Sequence, residues 1–217
     1  MQFVRTTVRL LIPAGVILAA VLALIAGPAT ADAAPLKPIP KLDVNRYLGT
    51  WWQQATVPSF FGVRCAKDTN ATYTFINDKT VGVDNKCTSF TGQPDGIKGK
   101  ATIVDPVTNA QLVVTFPFIP GTINPGNTPN YIVAWVGDAN GNDAGGPGAT
   151  GNEPYQYAIV GDPLRLSGFV LTRKKVVSTD ELRMLERKAR QVGFNSCTLL
   201  ISPTTGGRSD YSPLCTV

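Results

Sequence analysis

The chain contains no histidine among its 217 residues. That absence removes histidine-based triads, histidine metal sites and histidine-ligated haem from consideration. Cysteine is scarce. Cys65, Cys87, Cys197 and Cys215 stand far apart, and no Cys-x-x-Cys pair occurs, so a zinc site has no basis. Charged residues make up 16% of the chain, with a formal net charge of +5. The excess is mild and dispersed, without a basic stripe interleaved with aromatics, so it reads as solubility and not as nucleic-acid binding.

The N-terminal 33 residues read as a secretory signal peptide. Arg5 and Arg9 give a positive start, residues 10–27 are uncharged and mostly apolar, and Ala29-Thr30-Ala31 and Ala31-Asp32-Ala33 both fit a small-x-small cleavage site. Pro13 and the small-residue exit favour cleavage over an uncleaved membrane anchor, although the run nearly reaches bilayer length. No Cys follows it, which excludes a lipoprotein anchor. Cleavage after Ala33 leaves 184 residues and lowers the net charge to +4 through loss of Arg5, Arg9 and Asp32. That length suits one domain with a full core. An even cysteine count in an exported, secreted chain implies two disulfides. Of the three possible pairings, the local one, Cys65 with Cys87 and Cys197 with Cys215, is open because Cys65 and Cys87 fall on neighbouring strands.

Residues 34–41 are proline-punctuated and read as a tether. Asp43 can cap a short turn through Tyr47 and Leu48, which Gly49 breaks. Alternating patterns and β-favouring residues then predict strands over 50–57, 70–76, 80–85, 99–104, 111–116, 131–136, 155–160 and 167–173. Two irregular stretches interrupt the series, a proline-rich one at 117–129 and a Gly/Asn/Asp-rich one at 137–154. Ser178 and Glu181 form a capping box, and Leu182, Leu185, Ala189 and Val192 share one helical face, with Gly193 as the stop. The helix is therefore expected over 179–192, followed by a short ninth strand at 198–202 and a Gly/Ser-rich tail, 203–217. Eight sequential strands with short links suggest an up-and-down antiparallel barrel or sandwich.

Tyr47-Leu48-Gly49-Thr50-Trp51-Trp52 resembles the Gly-x-Trp opening of the lipocalins, in particular the bacterial lipocalin and apolipoprotein D group. The Ala71-Thr72-Tyr73-Thr74 run is similar too, and Leu171-Thr172-Arg173 matches the family's closing Arg motif. The middle motif is weaker: Tyr155-Gln156-Tyr157-Ala158-Ile159-Val160 lacks the usual Thr-Asp-Tyr lead-in. The resemblance covers residues 42–202. It implies an all-β, eight-stranded lipocalin calyx with one C-terminal α-helix packed outside. It also implies that Gly49, Trp51 and Arg173 are structural, with Arg173 over the Trp51 indole contributing on the order of 1–2 kcal/mol. Resemblance to apolipoprotein D implies that Cys65 pairs with Cys215, and hence Cys87 with Cys197, tying the tail to the barrel with roughly 2–4 kcal/mol per bridge.

Strand parity together with the resemblance selects a cavity lining. Trp51, Gln53 and Ala55 face inward from the first strand, Ala71, Tyr73 and Phe75 from the second, and Val81, Val83 and Asn85 from the third. Leu112, Val114 and Phe116, then Ile132 and Ala134, then Phe169 and Leu171 complete the set. Phe60, Phe61 and Phe118 fall on loops expected at the open end, where the stretch 117–129 reads as a lid. An apolar lining whose polar groups are Gln53, Tyr73 and Asn85 suits an acyl chain or a flat hydrophobic molecule. No carboxylate is on the inward list, so paired acid–base chemistry has no candidate. The expectation is an extracellular lipocalin that binds and transports a small hydrophobic ligand, a fatty acid or other lipid. It is not expected to be an enzyme, or to use a cofactor, metal ion or nucleic acid, and it meets membranes only transiently for ligand exchange. Two alternatives are an enzyme built on the barrel, using an unpaired cysteine or a polar cavity, and a filled-barrel protein-interaction module.

Overall fold

In the computed structural model, residues 34–59, 62–119, 126–146 and 151–217 are described. The expected signal peptide, Phe60 and Phe61, which were expected at the mouth, and residues 120–125 of the expected lid lie outside them. The first element is a single helical turn, α1 (Val44–Tyr47), capped by Asp43, whose carboxylate accepts from the Asn45 and Arg46 backbone N–H groups at 3.0 and 3.3 Å. Gly49 ends it with φ +95°, a left-handed value that favours glycine, and a Cβ there would sit 3.2 Å from Arg173 Nη1. The chain then enters β1 (Gly49–Thr56).

Eight further strands follow: β2 (Cys65–Asn77), β3 (Thr80–Ser89), β4 (Pro94–Ile103), β5 (Gln111–Thr115), β6 (Tyr131–Gly137), β7 (Tyr157–Gly161), β8 (Gly168–Thr172) and β9 (Leu200–Ile201). The sheet order is β2-β3-β4-β5-β6-β7-β8-β1-β9, and β1 also pairs with β2, so strands β1 to β8 close into an antiparallel barrel. Closure removes the exposed edges that an open sheet of this size would carry. One end, the floor, carries α1 and the β2–β3 turn. The mouth carries the β3–β4 and β7–β8 links and the described ends of the β1–β2 and β5–β6 links.

The β1–β2 seam changes character along its length. At the floor the strands pair directly, with Trp51 opposite Ala71. Between Gln53 and Ala55 the β1 register against β8 shifts, and beyond it Ala55 and Thr56 pair with β9. There β9 and the tail occupy the seam. The Asp68 backbone N–H donates to the Pro203 carbonyl at 2.9 Å, the Asp68 carboxylate accepts from Thr205, and the Tyr211 hydroxyl donates to the Ala66 carbonyl at 2.6 Å. The segment read as a tether is docked as well: Leu36 and Ile39 are buried, and their N–H groups donate to the Pro163 and Val133 carbonyls.

The helix α2 (Thr179–Gln191) has both arms of the capping box. Ser178 Oγ accepts from Glu181 N at 3.1 Å, and Glu181 Oε2 accepts from Ser178 N at 2.8 Å. Leu182, Leu185 and Ala189 bury its apolar stripe in a cluster with Ala55, Ile132, Trp135, Ile159 and Val170, on the outer face of β1 and β6 to β8. A second cluster fills the lower barrel and includes Trp51, Tyr47, Tyr73, Leu112, Val133 and Leu171. The molecule thus has two cores, one inside the barrel and one between barrel and helix.

The disulfides correct the pairing implied by apolipoprotein D. Cys65 bonds Cys87 and Cys197 bonds Cys215, with Cα separations of 5.6 and 4.9 Å. The reason lies in the ladders. β2 begins at Cys65, and pairing with β3 sets Cys65 opposite Ser89, within reach of Cys87. The other two cysteines sit on facing 3₁₀ turns, Ser196–Thr198 and Leu214–Thr216, joined by Leu214 N–H to the Leu199 carbonyl at 2.7 Å. Neither bridge ties tail to barrel; hydrogen bonds and β9 do so instead.

Candidate functional site

The site is the inside of the barrel, and its floor is built first. Trp51 is fully buried and donates its indole N–H to the Tyr47 carbonyl at 2.8 Å. The Arg173 guanidinium lies 3.9 Å from the Trp51 ring centroid. It also donates to four backbone carbonyls, those of Arg46, Leu48, Thr50 and Tyr155, at 2.7 to 3.0 Å. One side chain thereby ties α1, β1 and the segment leading into β7 together beneath the plug.

Above the plug lie three tyrosines. The Tyr47 and Tyr73 rings stack at 5.5 Å, and Tyr131 meets Tyr73 edge-on at 6.3 Å. The Tyr131 hydroxyl is 2.8 Å from that of Tyr47 and 2.9 Å from that of Tyr73. Burial raises all three phenols, with Tyr73 pushed up to about 12 and the other two well above their ordinary value. They are neutral hydrogen-bonding groups at any physiological pH.

Over this floor opens a cavity of about 1140 Å³ including its mouth. Of the expected residues, Gln53, Ala71, Tyr73, Val81, Val83, Asn85, Leu112, Val114, Phe116, Phe169 and Leu171 line it. Phe118 stands at its rim, 94% exposed. Two of the polar positions differ in state. Gln53 Nε2 donates to Ser202 Oγ at 2.7 Å, whereas the buried Asn85 Oδ1 has no hydrogen-bond partner among the described residues.

Four expected inward residues lie elsewhere. Phe75 is not on the lining and is 55% exposed, because β1 begins opposite Tyr73 and β2 runs beyond it with β3 alone for a neighbour. Ile132 and Ala134 pack on the helix side. The inward positions of β6 are Tyr131, Val133 and Val136, with a register shift between Val133 and Trp135. Ala55 turns to the helix side beyond the irregularity in β1. Sequence reasoning missed Tyr47 and Tyr131, and also the tail residues Leu200, Ser202, Pro203 and Tyr211, which line the mouthward seam. Tyr131-Ile132-Val133-Ala134-Trp135-Val136 is apolar on both faces because α2 covers the outer one, so alternation carries no phase there. Placing Tyr131 opposite Leu112, itself an inward residue, would have supplied it.

At the mouth, the lining carboxylates Asp95 and Asp162 are engaged. Asp95 pairs with Arg64 at 2.8 Å, and Asp162 accepts from the Leu164 and Ser167 backbone in the β7–β8 turn. All four cysteines are in disulfides, which removes the unpaired-thiol route to an enzyme. The arrangement can enclose an apolar body, and it offers hydroxyl and amide groups at fixed depths.

The sequence comparisons agree with this geometry. A family model described as a lipocalin-like domain matches residues 42–144 and 149–204. Temperature-induced lipocalin-1 of Arabidopsis thaliana is 32% identical over 176 residues, covering 79% of this chain and 82% of the plant protein. The chain is a member of the lipocalin family. Among solved structures, lobster apocrustacyanin A1 superposes with a TM-score of 0.51 at 12% identity, over 82% of this chain and 93% of its own. The cockroach allergen Per a 4 does so with a TM-score of 0.51 at 10% identity, over 80% and 96%. At such identities these two likenesses speak for the fold alone.

Proposed function

We propose that the protein is a secreted lipocalin that binds and transports a fatty acid or related lipid inside its barrel, acting by binding and release. The observation that carries this reading is the cavity: open at one end, walled by Val81, Val83, Leu112, Val114, Phe169 and Leu171, and large enough for a ligand of that class. An open interior also speaks against a filled-barrel interaction module. Export is supported by the N-terminal pattern and by the two disulfides, which persist in oxidising compartments.

The test is a calorimetric titration of the delipidated mature protein with fatty acids, retinoids and sterols, because no tryptophan is among the cavity-lining residues. One lipid class should bind saturably. Ala71→Trp, which places an indole in the wall, should weaken binding at least tenfold with the fold intact by circular dichroism. No response to any apolar ligand from a folded protein would overturn the reading.

A further inference from the structure

The tyrosine trio holds one proton more than its internal contacts use. Three hydroxyls carry three protons, and the two contacts through Tyr131 engage two of them, whichever way each points. Among the described residues no further hydrogen bond joins these hydroxyls to the protein. The trio is also fixed in place: Tyr47 belongs to α1, Tyr73 to β2 and Tyr131 to β6, and their rings pack on one another. Asn85 adds a second uncommitted group to the same wall. It is the next inward position on β3 after Val83, the residue opposite Tyr73, and its buried Oδ1 is unpartnered among the described residues.

A cargo ending in bare hydrocarbon would leave this donor and this acceptor desolvated and unmatched, which weakens binding. An oxygen function at the deep end would match them. It has to be uncharged, because the cations on the lining, Arg64, Lys67 and Lys86, stand in the mouthward half of the β2–β3 hairpin. Arg173 lies beneath Trp51 with its guanidinium on four carbonyls. We infer that the cavity floor is a hydrogen-bonding subsite, formed by Tyr47, Tyr73, Tyr131 and Asn85, for a hydroxyl or carbonyl on the end of the lipid that enters first. Any charged head stays at the mouth. This rests on the lipid-carrier reading and names the class of lipid.

Two probes differing at one end separate the inference from its foundation: hexadecanoate and 16-hydroxyhexadecanoate, titrated into wild type, Asn85→Leu and the triple variant Tyr47→Phe/Tyr73→Phe/Tyr131→Phe. In a purely apolar pocket the terminal hydroxyl weakens binding. Here the hydroxylated acid should bind wild type at least as tightly as hexadecanoate. The preference should fall about fivefold in the triple variant, which has no hydroxyl left at the floor, the loss of about one neutral hydrogen bond. The ratio between probes is the readout, so a general loss of affinity in a variant does not enter it. If hexadecanoate binds and the hydroxyl weakens binding equally in all three proteins, the subsite is refuted and the carrier reading stands. If neither acid nor any other lipid binds folded wild type, both fall. Wild type alone carries the first comparison, so a variant that fails to fold does not leave the question open.

Discussion

Arg173 does at the floor what no apolar residue could. Its guanidinium covers the Trp51 face and donates to four carbonyls, three at the end of α1 and the start of β1 and the fourth, that of Tyr155, ahead of β7. Charged hydrogen bonds are worth about 1.5–3 kcal/mol each in isolation, less when solvent can replace a lost partner. Arg173→Ala is expected to cost on the order of 3 kcal/mol in urea unfolding. Arg173→Lys should recover little of it, since an ammonium lacks the planar fork that reaches several carbonyls at once. A loss under about 1 kcal/mol would show the contacts to be incidental.

At the scale of elements, α2 is joined to the barrel through Glu181. Burial alone would raise this carboxyl. The Ser178 backbone N–H, the Tyr157 hydroxyl at 2.7 Å and the Lys174 ammonium at 3.0 Å outweigh it and hold the group at about 2. A pKa depressed in the folded state stabilises above the unfolded value of about 4.3 and loses that contribution as pH falls toward about 2. Wild type should therefore lose stability across that interval, and its advantage over Glu181→Gln should shrink there. A pH-independent difference between the two in chemical denaturation would contradict the assignment. The helix was legible from its capping box and stripe, because those signals are local. The two disulfides were legible from the cysteine count, but their pairing was not. The strand pattern placed the start of the second strand at residue 70, whereas β2 begins at Cys65, and without that extension its register against Cys87 is invisible.

For the whole molecule, legibility follows the same division. The strands and, with the lipocalin resemblance, most of the lining could be read because alternation is strict wherever one face meets polar surroundings and the other the interior, while the Gly49–Trp51–Arg173 plug was implied by the resemblance alone. It failed at Ile132 and Ala134, where both faces are buried, at Ala55, where an irregularity in β1 shifts the phase, and at Phe75, where β2 outruns its neighbour. The tyrosine trio was illegible for a further reason. Its members come from α1, β2 and β6, and three-dimensional closure brings them together. The tail was expected to be tied to the barrel by a disulfide, whereas β9, Pro203, Thr205 and Tyr211 hold it there and complete the mouthward half of the β1–β2 seam. The barrel is thus closed by strand pairing at the floor and by the tail above it.

The central claim is that a lipid occupies the barrel interior. The most direct test is a set of nuclear Overhauser contacts between a ¹³C-labelled C16 acyl ligand, hexadecanoate or its 16-hydroxy form, and the methyl groups of the protein. The account predicts contacts from the bound chain to Val81, Val83, Leu112 and Val114, deep in the cavity. Contacts confined to exposed residues such as Val63 and Leu166, with those interior methyls silent at saturating ligand, would contradict it.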